Sequence, residues 1–110
     1  MHQPCEVVSL MSNSTPDADA LALTREDNVA TVLRAVLAGE KLAVRRGGDV
    51  TAIAARSDIP ICHKIALEAI APGQPVIKYG EVIGIATDAI APGRHVHVHN
   101  MRSNRAQTSG

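Results

Sequence analysis

The sequence predicts a mainly β domain with one helix, and three observations support this prediction. Tyr79 is the only aromatic residue among 110, so aliphatic side chains must fill the interior, and β-branched side chains pack well in β structure. Most of the chain divides into short β-prone runs separated by glycine or proline, which favours hairpins. Only one stretch has helical periodicity. A chain of this length forms one domain with a modest core.

Polar segments mark the limits of this domain. Residues 11–20 (MSNSTPDADA) and 102–110 (RSNRAQTSG) are polar and rich in turn-forming residues. Such composition is typical of flexible tails. We therefore expect a flexible N-terminal extension over residues 1–19, a folded domain over 20–102 and a flexible tail over 103–110.

The first half of the domain contains a short strand and the predicted helix. ALALT favours a strand, and REDNVATVLRAVLAGE follows it. Asp27 is placed as the N-cap of a helix, and Gly39 as its end. The apolar residues that share one helical face are Val29, Val32, Leu33, Val36 and Leu37.

The rest of the domain reads as hairpins. KLAVRR and VTAIAA flank a Gly-Gly turn, and HKIALEAI, PVIKYG, EVIGIA and RHVHVHN follow as short strands. Pro72-Gly73 and Pro92-Gly93 suit the central positions of type II turns, where proline presets φ and glycine accepts a positive φ.

An internal repeat relates two of these strands. EAIAPGQPVIKYG, from Glu68, aligns without gaps with DAIAPGRHVHVHN, from Asp88, at an offset of 20 residues. Five consecutive identities make chance improbable. Two copies are too few for a solenoid, so we interpret them as equivalent hairpin corners.

Charge and hydropathy exclude several classes of function. Eleven basic residues balance eleven acidic ones, so no strong field would attract nucleic acid or an anionic membrane. The apolar runs fall far short of the roughly 20 residues that span a bilayer. The N-terminus lacks the features of a signal peptide, and two cysteines are too few for a disulfide framework. We expect a cytoplasmic protein.

Three alternating histidines are the main candidate site. In a strand, His95, His97 and His99 would share one face about 6.6 to 7 Å apart, while Val96 and Val98 face the core. Neutral imidazole binds iron(II) or zinc well, and a twisted strand could bring His97 and His99 onto one metal ion. The alternative is a polar strand face whose histidines bind carboxylates or a partner protein.

Two further segments carry candidate residues. His63 beside Lys64 suits proton transfer or carboxylate binding, because histidine titrates near neutrality and lysine supplies a point charge; the alternative is a solvated strand end. Lys78 could bind a carboxylate, and Tyr79 could pack and hydrogen-bond through its hydroxyl. A turn-and-packing role for this corner is the competing interpretation.

These motifs resemble a known family. HKIALEAIAPGQPVIKYGEVIGIATDAIAPGRHVHVHN is similar to the SAF domain at the N-terminus of altronate and galactarate dehydratases, and the similarity extends over residues 21–102. The resemblance implies a β-clip fold, a ribbon of short hairpins with one helix. That family often has a small residue such as glycine where this chain has Cys62.

The resemblance also implies a function. In fused dehydratases a much larger catalytic part follows the SAF domain, whereas the small subunit of (2R)-sulfolactate sulfo-lyase resembles a free-standing SAF domain. We expect this chain to be the small subunit of a lyase that catalyses β-elimination on a hydroxy acid, such as altronate, galactarate or sulfolactate. A separate large subunit would complete the site, and homo-oligomerisation is open. The alternatives are a stand-alone module that binds a small acid or sugar, and a structural oligomerisation domain without catalysis.

The resemblance further implies dependence on iron(II) or another divalent metal, which is held by this chain or mainly by the partner. On this basis the candidate residues fall into three groups. The catalytic candidates are His63, His97 and His99. The substrate-binding candidates are Lys64, Lys78, His95 and Asn100. The metal candidates are His97 and His99.

Overall fold

The β-prone runs of the sequence form nine strands within residues 18–103, the part of the chain that the computed structural model describes. The tails expected over residues 1–19 and 103–110 lie almost wholly outside this range. The strands are β1 (Ala20–Ala22), β2 (Val29–Val32), β3 (Lys41–Arg46), β4 (Asp49–Ala54), β5 (Lys64–Ala66), β6 (Pro75–Lys78), β7 (Glu81–Ala86), β8 (His95–Val96) and β9 (Met101–Ser103).

The strands form two sheets, and strand β2 of the larger sheet lies between two buried clusters. Six strands pair in the order β4-β3-β1-β2-β5-β8, and a second sheet has the order β6-β7-β9. β1 and β3 pair in parallel, whereas the pairs β1–β2, β2–β5 and β3–β4 are antiparallel. Val32 packs in one buried aliphatic cluster with Ile65, and Val29 packs in another with Val96. Burial on both faces makes β2 the centre of the domain.

The predicted helix is wrong for the described residues. Val29–Val32 is a strand, and the segment after it turns and meets Ile59 through an isolated antiparallel bridge from Val36. A strand buried on both faces gives a continuous apolar run, and here that run, followed by a turn, matches helical spacing by coincidence. Leu37, expected on the buried face, is 61% exposed. Because no helix occurs in residues 18–103, the mainly β prediction holds without its helical part. The β-clip architecture is consistent with these sheets.

No helix in the described segment is long and apolar enough to cross a membrane.

The two copies of the sequence repeat meet each other in space. Ile70 and Ile90 exchange both backbone hydrogen bonds, at 2.9 and 2.8 Å. Gly73 and Gly93 have φ values of 87° and 89°, as type II turns require at their third position. The N–H of each glycine donates a 2.8 Å hydrogen bond to a backbone carbonyl of the strand that precedes the other copy. The repeat is therefore a pair of corners related by a local two-fold axis.

A second pair of corners has the same geometry without sequence identity. Val36 and Ile59 exchange backbone hydrogen bonds of 2.9 and 2.8 Å, as Ile70 and Ile90 do. Gly39 has φ of 96°, but the equivalent residue of the other corner is Cys62, with φ of 76°. A side chain in this left-handed region is unfavourable. The position that Cys62 occupies is therefore a turn that favours glycine.

Candidate functional site

The antiparallel pairing of β5 with β8 brings the candidate histidines together. Lys64 lies opposite Val96, and Ile65 lies opposite His95. Continuing this register by one residue places His63 opposite His97, on the same sheet face as His95. The separate predictions for the two segments therefore concern one cluster.

Four imidazole rings form this cluster, which we call the histidine cluster: His63, His95, His97 and His99. Nδ1 of His63 lies 2.9 Å from Nε2 of His95. The His63 ring stacks on that of His97, with 4.4 Å between centroids, and the His95 and His97 centroids are 5.6 Å apart. His99 contacts the cluster through His95, at 5.2 Å between centroids.

The strand predicted to carry the alternating histidines ends earlier than expected. β8 contains only His95 and Val96, and the chain then turns over residues 97–100. Val96 is fully buried, as predicted, but Val98 is 75% exposed. The prediction that Val98 faces the core is wrong, because the turn breaks the alternation. The histidines converge through this turn and through His63.

Hydrogen bonds hold the backbone of the turn in place. The Asn100 side chain accepts the N–H of His97 at 3.0 Å and donates to the carbonyl of His95 at 2.9 Å. Ser57 Oγ accepts the His95 N–H at 3.2 Å. Asn100 is 8% exposed and thus orients two of the histidines. Its contact with substrate stays a prediction.

Electrostatics keep two imidazoles neutral near pH 7. Burial lowers the pKa of His95 to about 4, and His63, His99, His97 and Lys64 add to the effect by charge repulsion. Burial, followed by repulsion from His63 and Lys64, also lowers the pKa of His97. A neutral imidazole can accept a proton or bind a metal ion. The catalytic and metal-binding roles predicted for His97 are therefore both chemically available.

The candidate lysines lie together, but away from the histidine face. Lys64 is the register partner of Thr31 and Val96, so its side chain leaves the sheet on the face opposite His95. Burial lowers its pKa, and nearby Lys78 lowers it further. Burial also lowers the pKa of Lys78, whose Nζ lies 5.0 Å from the Tyr79 ring centroid. Two half-buried cations near each other favour the binding of an anion. Substrate binding by either lysine stays a prediction.

Asp27 positions the corner that carries Lys78, a role that the sequence did not reveal. Its carboxylate accepts the backbone N–H groups of Tyr79 and Gly80 at 2.9 and 2.7 Å, and the Thr24 hydroxyl at 2.7 Å. Burial alone would raise the pKa of Asp27, but these bonds and one from the Leu23 amide lower it overall. Asp27 is not the predicted helix N-cap. It does cap backbone N–H groups, as aspartate often does, but the groups are that of Leu23, which precedes it, and those of Tyr79 and Gly80, which are 52 and 53 residues away in sequence.

A cleft adjoins the histidine cluster. It has a volume of about 350 Å³, and its lining includes Ser57, Asp88, Arg94, His95 and His99. Neither Asp88 nor Arg94 was among the site residues predicted from the sequence. A signal existed in the repeat, because Arg94 stands where the first copy has Gln74. A small acid could enter this cleft and reach both a guanidinium and imidazoles.

Comparison with known proteins identifies relatives of two sizes. The family "Altronate/galactarate dehydratase SAF domain" matches residues 18–104. Altronate dehydratases from Bacillus subtilis and Escherichia coli are 37% and 45% identical over 84 and 78 residues, covering 76% and 71% of this chain. The chain spans only 16% and 15% of their lengths. The (2R)-sulfolactate sulfo-lyase subunit alpha of Paracoccus pantotrophus is 47% identical over 53 residues, which are 48% of this chain and 79% of that subunit.

Proposed function

The chain belongs to the altronate/galactarate dehydratase SAF-domain family, and from this membership we propose that it is the small subunit of a lyase acting with a separate large subunit. The reaction would be β-elimination of water or sulfite from a hydroxy acid. The carrying observation is the histidine cluster, in which four imidazoles meet on an accessible face beside a cleft.

The relatives support a subunit role through their sizes. Most of the Paracoccus pantotrophus sulfolactate sulfo-lyase subunit alpha aligns with this chain, whereas the aligned part of each altronate dehydratase is a small fraction of the whole. A protein named as a subunit alpha works with at least one other subunit. We infer the same arrangement here, with a large subunit covering the histidine face.

The chemistry of β-elimination gives the residues of the cluster their roles. A base must remove the proton α to the carboxylate, and an acid or electrophile must assist the leaving group. His97, with a lowered pKa, is neutral near pH 7 and can accept a proton at a ring nitrogen. His63 Nδ1 lies within hydrogen-bond distance of His95 Nε2, so these two rings can exchange a proton, while the exposed His99 can protonate a leaving hydroxide. A divalent metal such as iron(II), when bound, would stabilise the developing negative charge.

Substrate binding would use the groups around the cluster. Arg94 lines the cleft with His95, and a guanidinium can hold a carboxylate or sulfonate through two parallel hydrogen bonds. Lys64 points to the sheet face opposite His95, and Lys78 of the second sheet is close enough to lower its pKa, so we assign both lysines to an anionic group of the substrate or the large subunit that reaches around the sheet edge.

Isolation of the native protein under anaerobic conditions tests this proposal. We expect a larger chain to co-purify, and the complex to release sulfite from sulfolactate or dehydrate altronate or galactarate when iron(II) is present. The isolated small chain should be inactive. Replacing His95, His97 and His99 by Gln should abolish turnover by the reconstituted complex, whereas Lys41→Gln, on an exposed strand end, should not.

The alternatives predict different results. Full activity of the small chain alone would disprove the subunit proposal. Binding of a small acid without any partner would favour a stand-alone module. Unchanged assembly and activity of the triple Gln variant would favour a structural oligomerisation domain.

A further inference from the structure

We propose that His63, His95 and His97 form a metal-binding site within this chain, with His99 outside the ligand set. The inference deepens the proposed function, on which its catalytic meaning rests, because it places the metal on the small subunit. It also replaces the pair His97 and His99, suggested by sequence spacing, with a set of three that includes a residue from another strand.

The positions of the ring nitrogens carry the inference. One nitrogen from each of the three rings can be chosen so that all lie within 4.8 Å of one another. The closest pair, His63 Nδ1 and His95 Nε2, is 2.9 Å apart. Ligand nitrogens about 2.0–2.1 Å from a tetrahedral metal ion lie roughly 3.3 Å from each other. Small rotations of the imidazoles would therefore close the site around one ion.

The backbone around two of the ligands is already fixed. Ser57 binds the N–H of His95, and Asn100 bridges the N–H of His97 and the carbonyl of His95. Groups that orient ligands in advance raise metal affinity and restrict its geometry. The ligands come from two strand ends that pair directly, which limits their relative motion.

Three histidines suit a metal with catalytic function. Imidazole ligands favour zinc, iron, copper or nickel over magnesium or calcium. A site with three protein ligands leaves at least one position for water or substrate, as catalytic sites require. The cleft beside His95 offers space for such a ligand, and its Asp88 would offset part of the ion's charge.

His99 differs from the other three in position. It is exposed, and its ring contact is with His95 alone among the histidine contacts of residues 18–103. Replacing it should leave the three nitrogens of the site in place. His99 therefore provides a matched histidine control for each proposed ligand.

Metal titration of the purified full-length chain tests the site without reference to activity. Zinc and cobalt(II) serve as probes, with calorimetry for affinity and visible absorption for the cobalt ligand field. We expect one ion per chain. His63→Gln and His97→Gln should each weaken binding by at least about tenfold, and His99→Gln should bind as tightly as the unmodified chain.

Two measurements separate loss of the site from loss of the fold. Urea unfolding without metal shows whether each variant is folded, and added zinc should raise the unfolding midpoint of the unmodified chain but not of His97→Gln. X-ray absorption of the cobalt form of the unmodified chain should count three imidazoles. The variant His2→Gln changes a potential ligand outside the described residues and should bind normally.

Several outcomes would overturn the inference. These are no binding by the unmodified chain, fewer than three imidazoles around cobalt, or equal affinity in His97→Gln and the unmodified chain. Loss of binding in His99→Gln would restore the pair predicted from spacing. None of these results would refute the subunit proposal, since co-purification and partner-dependent turnover are measured separately and the large subunit could hold the metal.

Discussion

Alanine substitutions at two equivalent glycines provide a quantitative test of the corner geometry. Gly73 and Gly93 occupy the same turn position in the two repeat copies, with φ of 87° and 89°. Either substitution forces an L side chain into the left-handed region at a cost of about 1–2 kcal/mol. A Cβ on Gly73 meets no atom within 4 Å, so Gly73→Ala should cost only this amount.

Gly93→Ala adds a steric clash. Its Cβ would lie 2.2 Å from the carbonyl oxygen of Ala54, and that atom belongs to backbone that cannot rotate away. Separation to ordinary contact requires a shift of more than 1 Å, which would stretch the 2.8 Å bonds of Gly93 with Ala66 and Arg56. Overpacking costs about 1–3 kcal/mol, so the total destabilisation should reach about 2–5 kcal/mol.

Urea unfolding of the two variants beside the parent chain measures this difference. We expect Gly93→Ala to lose at least about 1 kcal/mol more than Gly73→Ala. It should also weaken metal binding, because residue 93 lies two residues before His95, the first residue of β8. Equal destabilisation by the two substitutions would refute the close approach of the second corner to β4.

Substitutions at Cys62, Asp27 and His95 provide three further tests, the last of them through its pH dependence. Under reducing conditions, Cys62→Gly should stabilise the chain by about 1 kcal/mol, because φ of 76° suits glycine; a loss of stability would disprove the strain. Asp27→Asn should destabilise by about 2–4 kcal/mol, since an amide cannot accept at both atoms, while Asp49→Asn, at an exposed ion pair, should change little. The pKa of His95, about 4 when folded against an ordinary 6.5, means that the unfolded chain binds protons first. The contribution of His95 to stability should therefore be fully present above about pH 6.5 and be lost as the pH drops towards 4, and His95→Gln should show a weaker dependence over this range in urea unfolding at a series of pH values.

Strand β3 was predictable from the sequence because its two faces differ. In β3, Leu42 and Val44 are buried, and glycine marks the turn that follows, so local pattern and local chemistry agreed. The prediction for β2 was wrong because both faces of this strand are buried by strands distant in sequence. Its Val29 and Val32 carry no alternation that could distinguish a strand from a helix. The proline-glycine turns were predictable because the turn conformation depends on the two residues themselves.

The histidine cluster shows why the site was only half predictable. The strand with His95 and the turn after it carry an obvious pattern, but His63 joins them through a pairing across 32 residues. Cys62 and Gly93 occupy equivalent corners, so the strand that begins at Lys64 corresponds to the strand that begins at His95. These two equivalent strands pair with each other. The imidazoles of His63 and His95 meet where the two strands begin, next to their corners. Since the two corners share no sequence identity comparable to that of the visible repeat, only the backbone reveals their equivalence. The site thus forms at the junction of two corner pairs, where a residue from one pair completes a set of ligands begun by the other.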